Sequence, residues 1–396
     1  MHVYDRLGVK RRVNGAGTLT RLGGSLMPPE VLAAMAEAAE SCVDVAELQA
    51  AASRVIARHT GAEAGIVTSG AAAALTLGTA ACLTGFDAAR MDRLPDTSGM
   101  PNEVVMCRIH RGGYDHAIRA AGARLVEVGF NDRGIGCGIR GVEPWEIEAA
   151  ITPGTVAIAY TATPADEPPL AQVAAVAEAH GLPVIVDAAA QLPPAGNLRR
   201  FIEEGAALVA FSGGKAIRGP QASGILCGRR DLIGAAVLQQ LDMDVAPETW
   251  EPPPGLIPRE RLRGLPHHGL GRGFKVGKEE IAGLVVALER FASLDMAAEL
   301  AAREGWLSEI AGRLDDVAGV YTRLLSPEET GGAPVLEVSL ADGDAWALSR
   351  ALQAGDPPVH LGEARAAEGV LLVKAGGLRE GDAAAIAERL IEVLSS

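Results

Sequence analysis

ALVAFSGGKAIRGPQASGIL, from Ala207 to Leu226, decides how this chain is read. An apolar run of strand length passes straight into Ser212, Gly213, Gly214 and Lys215, and a second apolar run follows Pro220. A lysine at the end of a buried strand can be desolvated, which disfavours its charged form and frees the amine to form a Schiff base with a carbonyl. The glycines let a ligand approach the backbone, and the Ser212 hydroxyl can donate to a phosphate. Upstream, GLPVIVDAAAQLPP (Gly181 to Pro194) ends another apolar run on Asp187, at the sheet edge where open α/β folds bind ligands. A carboxylate there wants a cation, and a protonated pyridine nitrogen is one. Further upstream, TGAEAGIVTSGAAAAL (Thr60 to Leu75) places a strand, then Ser69, Gly70 and Ala71, then a helix, so that free N–H groups at the helix start face an anion.

The same alternation of apolar runs and Ala-rich helical stretches holds from about residue 46 to 230. It predicts strands at 65–68, 104–108, 124–128, 156–161, 183–187, 207–211 and 223–227, with helices between them. That is an α/β fold with a mostly parallel seven-stranded sheet. From 243 to 277 the chain turns rich in Pro, Gly, His and Arg without periodicity, as a lid-like segment does. Three parts are expected: an N-terminal segment 1–45, a large ligand-binding domain 46–277, and a small C-terminal α+β domain 278–396.

Composition excludes several function classes. With 36 Lys and Arg against 50 Asp and Glu the net charge is −14, which repels nucleic-acid phosphates. No apolar stretch reaches the roughly 20 residues that span a bilayer and the N-terminus lacks a signal-peptide pattern, so a cytoplasmic protein is expected. The 5 cysteines, an odd number without C-x-x-C spacing, fit neither a disulfide framework nor a zinc site.

In its order of phosphate turn, strand-end Asp and lysine, the chain resembles the fold-type I pyridoxal-phosphate enzymes. NGAGTLTRLGGS (from Asn14), TGAEAGIVTSGAAAAL, VDAAAQLPP, FSGGKAIRGPQASGIL and GRGFKVGKEEIAGL (from Gly271) are most similar to the branch of L-seryl-tRNA(Sec) selenium transferases and D-glucosaminate-6-phosphate ammonia lyases. The resemblance runs from about Arg12 to the C-terminus. It implies pyridoxal 5'-phosphate as cofactor, Lys215 as its Schiff-base lysine and Asp187 as partner of the pyridine nitrogen. Ser69, Gly70, Ala71 and Ser212 would surround the phosphate, and Arg272 and Lys275 would meet an anionic group of the substrate. A homodimer or larger homo-oligomer is implied as well. The chain departs from the selenium transferases in starting almost directly at Val13-Asn14-Gly15, without their helical tRNA-binding region, and in longer segments at 86–102 and 243–268. A tRNA substrate is therefore not expected.

Other residues carry alternatives. His110 follows a strand and either lies over the cofactor ring or is an ordinary loop histidine. His267 and His268 point apart, and no metal is expected. The glycines of RGIGCGIRG (133–141) lack the strand before and helix after of a dinucleotide fingerprint. Arg259, Arg261, Arg263, Arg272, Lys275 and Lys278 cluster against only Glu260, with Arg21 and Arg111 as further candidates to hold an anion. The expected activity is a lyase that removes the Cα proton of a small, β-hydroxylated or anionic amino acid, eliminates the β-substituent and releases ammonia. Aldol cleavage or racemisation passes through the same carbanion, and an inactive scaffold is the reading from another class.

Overall fold

The computed structural model describes residues 1–130, 141–341 and 343–395. The glycine run at 133–140 and Cys137 lie outside the described residues. The chain divides into two compact units, Met27–Ala292 and Met1–Leu26 with Ser293–Ser396, so the divisions fall at 26 and 292 rather than at the expected 45 and 277. The reason at the second boundary is packing. Helix Lys278–Ser293 buries Ile281, Leu284, Leu288 and Phe291. A Cβ added to its Gly283 would sit 2.7 Å from Met35 Cγ and 3.0 Å from Pro220 Cγ, both in the larger unit.

The larger unit carries seven strands: β1 (Ala64–Thr68), β2 (Glu103–Cys107), β3 (Arg124–Val128), β4 (Thr155–Thr161), β5 (Val184–Asp187), β6 (Leu208–Ser212) and β7 (Gly224–Gly228). Their order in the sheet is β1-β7-β6-β5-β4-β2-β3. Every pair is parallel except those that β7 makes with β1 and β6, which are antiparallel. All seven strands read from the sequence are present, and the sheet is mixed through β7 alone. Continuous burial of β1 and β7 explains their unbroken apolar runs.

Helix α1 (Val45–Thr60) was not foreseen. It starts where Asp44 accepts from Glu47 N–H at 2.9 Å and stops at Gly61 with φ 72°. Helix α2 (Ala71–Thr84) is buried on every side through its middle turns and packs across β1, β7, β6, β5 and β4. Its apolar residues need no stripe because no face meets water. The segment 243–277 holds only two 3-10 turns, Arg259–Arg261 and Leu270–Phe274. Its middle is anchored, since Leu256 and Ile257 are buried in the hydrophobic core of this unit.

The smaller unit is built on an antiparallel sheet of β8 (Val320–Leu325), β9 (Val335–Leu340) and β10 (Val370–Lys374), with β9 central. Val13–Gly15 pairs in parallel with Val359–Leu361, so the N-terminal segment joins this unit. Among the described residues no helix is long and apolar enough to cross a membrane.

Candidate active site

Asp187 is the last residue of β5, level with Thr161 of β4 and Ala210 of β6. Its Oδ1 accepts from Ala189 N–H at 3.0 Å. Burial pushes its carboxyl above the ordinary carboxylate range, against the pull of the Ala189 N–H and the Lys215 ammonium. Lys215 stands beyond the end of the neighbouring β6. Burial drives its pKa below that of an ordinary lysine, while the Asp187 carboxylate acts in the opposite direction. The two therefore feel one another across adjacent strand ends.

Backbone closure fixes the lysine loop. Gly213 N–H donates to Ser223 O at 2.9 Å, and Gly219 N–H to Gly213 O at 2.8 Å. A Cβ on Gly213 would fall 2.1 Å from Ser223 Oγ, so the turn that presents Lys215 tolerates no side chain there. Ser212 ends β6 half-buried.

Ser69, Gly70 and Ala71 lead from β1 into α2. Gly70 has φ 140° and no side chain caps the helix, which leaves the first N–H groups of a 14-residue helix available. A Cβ on Gly70 would meet nothing within 4 Å, so there is open room in front of that helix end. On the opposite side the turn is tight: a Cβ on Gly224 would lie 2.5 Å from Gly70 C and 2.7 Å from Ala71 N. The Ser69 hydroxyl donates to Phe274 O at 2.9 Å, which ties the turn to the segment carrying Arg272 and Lys275.

A cavity of about 260 Å³ opens beside these strand ends. Asp187, His110, Arg111, Thr161, Tyr114 and Asp115 are among the residues of its wall. Lys215, Ser69, Gly70, Ala71, Ser212, Arg272 and Lys275 stand outside that wall. His110 is buried, its backbone carbonyl accepting from the Thr161 hydroxyl at 3.0 Å. Its Nε2 lies 3.0 Å from Glu167 O, and its buried Nδ1 has no hydrogen-bond partner among the described residues.

Most candidate anion-binding cations are already paired. Arg272 Nη2 lies 2.9 Å from Asp242 Oδ2. Arg111 pairs with Asp115 and Glu127, and Arg21 in the smaller unit comes within 3.9 Å of Glu363. Lys275 is exposed, with no hydrogen bond or ion pair among the described residues. The Arg272 pair is partly exposed, and such a pair is worth about 0–1 kcal/mol. Asp115 is almost fully buried and is held by Arg119 as well as by Arg111.

Sequence reasoning missed Tyr160, Asp166 and Arg200. The signal was a tyrosine inside the apolar run TVAIAYT, since a buried hydroxyl must find a partner. Nor did the sequence show that His268 lies beside Asp242 and Asp244. All three are exposed and Asp242 already holds Arg272, so the cluster is an ordinary charged surface.

The residues suit pyridoxal phosphate. The room before an uncapped helix end would take a phosphate, the half-buried Asp187 carboxylate would take a protonated ring nitrogen, and Lys215 would offer an amine shifted toward its neutral form. Comparison with known proteins agrees. Residues 33–218 match the DegT/DnrJ/EryC1/StrS aminotransferase family. The chain is 31% identical to D-glucosaminate-6-phosphate ammonia lyase of Salmonella typhimurium, over 99% of this chain and 98% of that protein. It is also 31% identical to a 5'-C-glycyluridine monooxygenase-decarboxylase of a Streptomyces species, over 99% and 92%. A solved structure of D-glucosaminate-6-phosphate ammonia-lyase superposes with a TM-score of 0.82 at 30% identity, covering 100% of this chain and 98% of that one.

Proposed function

Since the chain belongs to the fold-type I pyridoxal-phosphate enzymes, in the family of D-glucosaminate-6-phosphate ammonia lyase, we propose that it eliminates the β-hydroxyl of a small anionic amino acid as water, after which hydrolysis of the released imine by water gives the keto product and ammonia. The observation that carries this reading is the electrostatic pairing of Asp187 and Lys215 on adjacent strand ends, in a chain similar to an ammonia lyase along its whole length. When bound, pyridoxal phosphate supplies an electron sink for the pair of electrons left at Cα. The chain's own residues do the rest. Asp187 holds a proton at the ring nitrogen through its carboxylate. Lys215 Nζ, lowered in basicity by burial, is the base for the substrate's Cα proton and can return it to the departing β-hydroxyl as water leaves. The N–H groups from Gly70 onward and the Ser212 hydroxyl hold the phosphate, the Ser69 hydroxyl joins them on releasing Phe274 O, and His110 belongs to the cavity wall that Asp187 also lines.

The test is to offer D-glucosaminate-6-phosphate and a panel of β-hydroxy and phosphorylated amino acids, following ammonia, keto product and dissolved oxygen together. Ammonia and keto product in equal amounts, without oxygen uptake, support the lyase. Oxygen consumption with carbon dioxide release would instead align the chain with the monooxygenase-decarboxylase, which is equally similar in sequence.

Substrate charge follows from the cations of 272–275. Arg272 offers two parallel donors to a carboxylate or phosphate once it releases Asp242, and Lys275 adds a point charge. Arg272→Ala is expected to raise KM at least about tenfold, in line with the roughly 2–5 kcal/mol lost when one member of a desolvated charge pair is removed. If Arg272→Ala and Lys275→Ala both stay within about twofold of the parent, against that tenfold expectation, the anion is held elsewhere.

The chain is further assigned as a cytoplasmic enzyme without nucleic-acid partners, acting as a homodimer or larger homo-oligomer. Support for assembly comes from apolar side chains left in solvent at Leu32, Val43 and Val45. Sedimentation velocity is expected to show at least a dimer; a fully active monomer contradicts it.

A further inference from the structure

His110 takes its orientation from a network that sequence reading did not reach. Its Nε2 lies 3.0 Å from the carbonyl oxygen of Glu167, and a carbonyl oxygen only accepts, so Nε2 carries the hydrogen. The other ring nitrogen, Nδ1, is buried and without a hydrogen-bond partner among the described residues. What holds the Glu167 carbonyl in place is Tyr160, whose hydroxyl lies 2.7 Å from Asp166 Oδ1 and 3.0 Å from Pro168 O. One buried hydroxyl thus pins the residues on both sides of Glu167. Asp166 is also gripped by Arg200 Nη2 at 2.7 Å, and its φ of 48° is a conformation that a non-glycine residue keeps only when its surroundings impose it. The Tyr160 ring meets the His110 ring edge-on, with centroids 4.4 Å apart and planes at 73°. The histidine is gripped by the tyrosine's ring directly and by its hydroxyl through the 166–168 backbone.

We infer that Tyr160 is a positioning residue of the reaction: with Asp166 it fixes His110, a wall residue of the cavity that Asp187 also lines, as the Nε2–H tautomer, so that Nδ1 is the ring nitrogen left able to take up a proton. Burial holds His110 below its ordinary pKa, partly offset by the Glu167 carbonyl and the Asp166 carboxylate. The role deepens the lyase reading and rests on it only for its effect on rate.

The test uses Tyr160→Phe, which keeps the ring contact and loses the hydroxyl, and Asp166→Asn as a second variant that keeps the hydroxyl and loses the Arg200 ion pair. In holoenzyme and in cofactor-free protein labelled with ¹⁵N-histidine, the His110 nitrogens are assigned by comparison with His110→Gln. The parent is expected to show a pyrrole-type Nε2 and a pyridine-type Nδ1. In Tyr160→Phe the two signals should converge as tautomers mix, and kcat should fall about tenfold with KM nearly unchanged, as for impaired general acid–base catalysis. Asp166→Asn should move both readouts the same way. A pyrrole-type Nδ1 in the parent, an unmoved tautomer in Tyr160→Phe, or a moved tautomer with unchanged kcat overturns the assignment. Because the nitrogen signals are read without substrate, a parent that releases no ammonia is a separate result that falls on the lyase reading alone.

Discussion

Lys215→Ala is expected to abolish turnover while the chain stays folded. On the proposed reading Lys215 has two tasks, holding the cofactor and moving the Cα proton, and general base catalysis alone is commonly worth about 10²–10⁴ in rate. Losing both should take ammonia release to background. The fold should survive because the turn is closed by backbone bonds, Gly213 to Ser223 and Gly219 to Gly213, that do not involve the lysine side chain. Borohydride reduction followed by peptide mapping checks the assignment: cofactor should be trapped on Lys215 in the parent and on no residue in the variant. Trapping on another lysine would refute it.

Asp187→Asn should separate activity from stability. Burial raises the Asp187 pKa, so the folded cofactor-free chain binds this proton more tightly than the unfolded one. The stability contributed by that proton is complete below the unfolded pKa and is lost as pH rises through the raised folded value. Lys215 has the opposite sign. Its folded pKa is depressed, so its contribution is complete above the unfolded value and is lost as pH falls through the depressed one. Once ionised, each group therefore works against the cofactor-free fold. Asn fills the same space and can still accept from Ala189 N–H, without the buried charge. The cofactor-free variant should melt above the parent at pH 7, by about 2–4 °C for each kcal/mol recovered, and the gap should shrink toward pH 4. Turnover should fall about 10²-fold or more, as for loss of an electrostatic stabiliser of developing charge. Calorimetry with and without cofactor measures the first, and the ammonia assay the second. Unchanged turnover in Asp187→Asn removes the carboxylate from the site.

The large unit was legible because two-faced burial writes itself as unbroken apolar runs, and nearly all of its seven strands were found that way; Arg124–Val128, at the sheet edge, carries Arg124 and Glu127 in a half-exposed run. The direction of β7 was not, since an apolar run has no polarity and only the shortness of the loop at 213–223 hinted at a reversal. In the small unit Val320–Leu325 is only half-buried, and Val359–Leu361 spans three residues; both escaped notice because neither leaves a pattern long enough to read. Lys215 and Asp187 stood out as charges at the ends of strands that are otherwise apolar. The state of Arg272, Arg111 and Arg21 could not be read, because Asp242, Glu127 and Glu363 are brought to them only by folding. Tyr160 stayed hidden for the same reason: its partners 166 and 168 follow it closely, but the carbonyl they present to His110 is a backbone group that no side-chain pattern announces.

The antiparallel return of β7 has a consequence for which cofactors the enzyme accepts. The hairpin that presents Lys215 re-enters the sheet at Gly224, whose Cα leaves no space for even a methyl group against Gly70 and Ala71. The turn that carries Lys215 and the helix end at Gly70 and Ala71 are thereby held against one another by a backbone-to-backbone contact, as the two jaws of a gauge. Their separation is set by the eleven-residue span 213–223 and the contact at Gly224, not by the looser packing of helices. A vitamin B6 congener with a lengthened phosphate arm would reach the lysine or the helix end but not both. Chain evolution that inserted one residue into the span would change the cofactor's fit without disturbing a single strand.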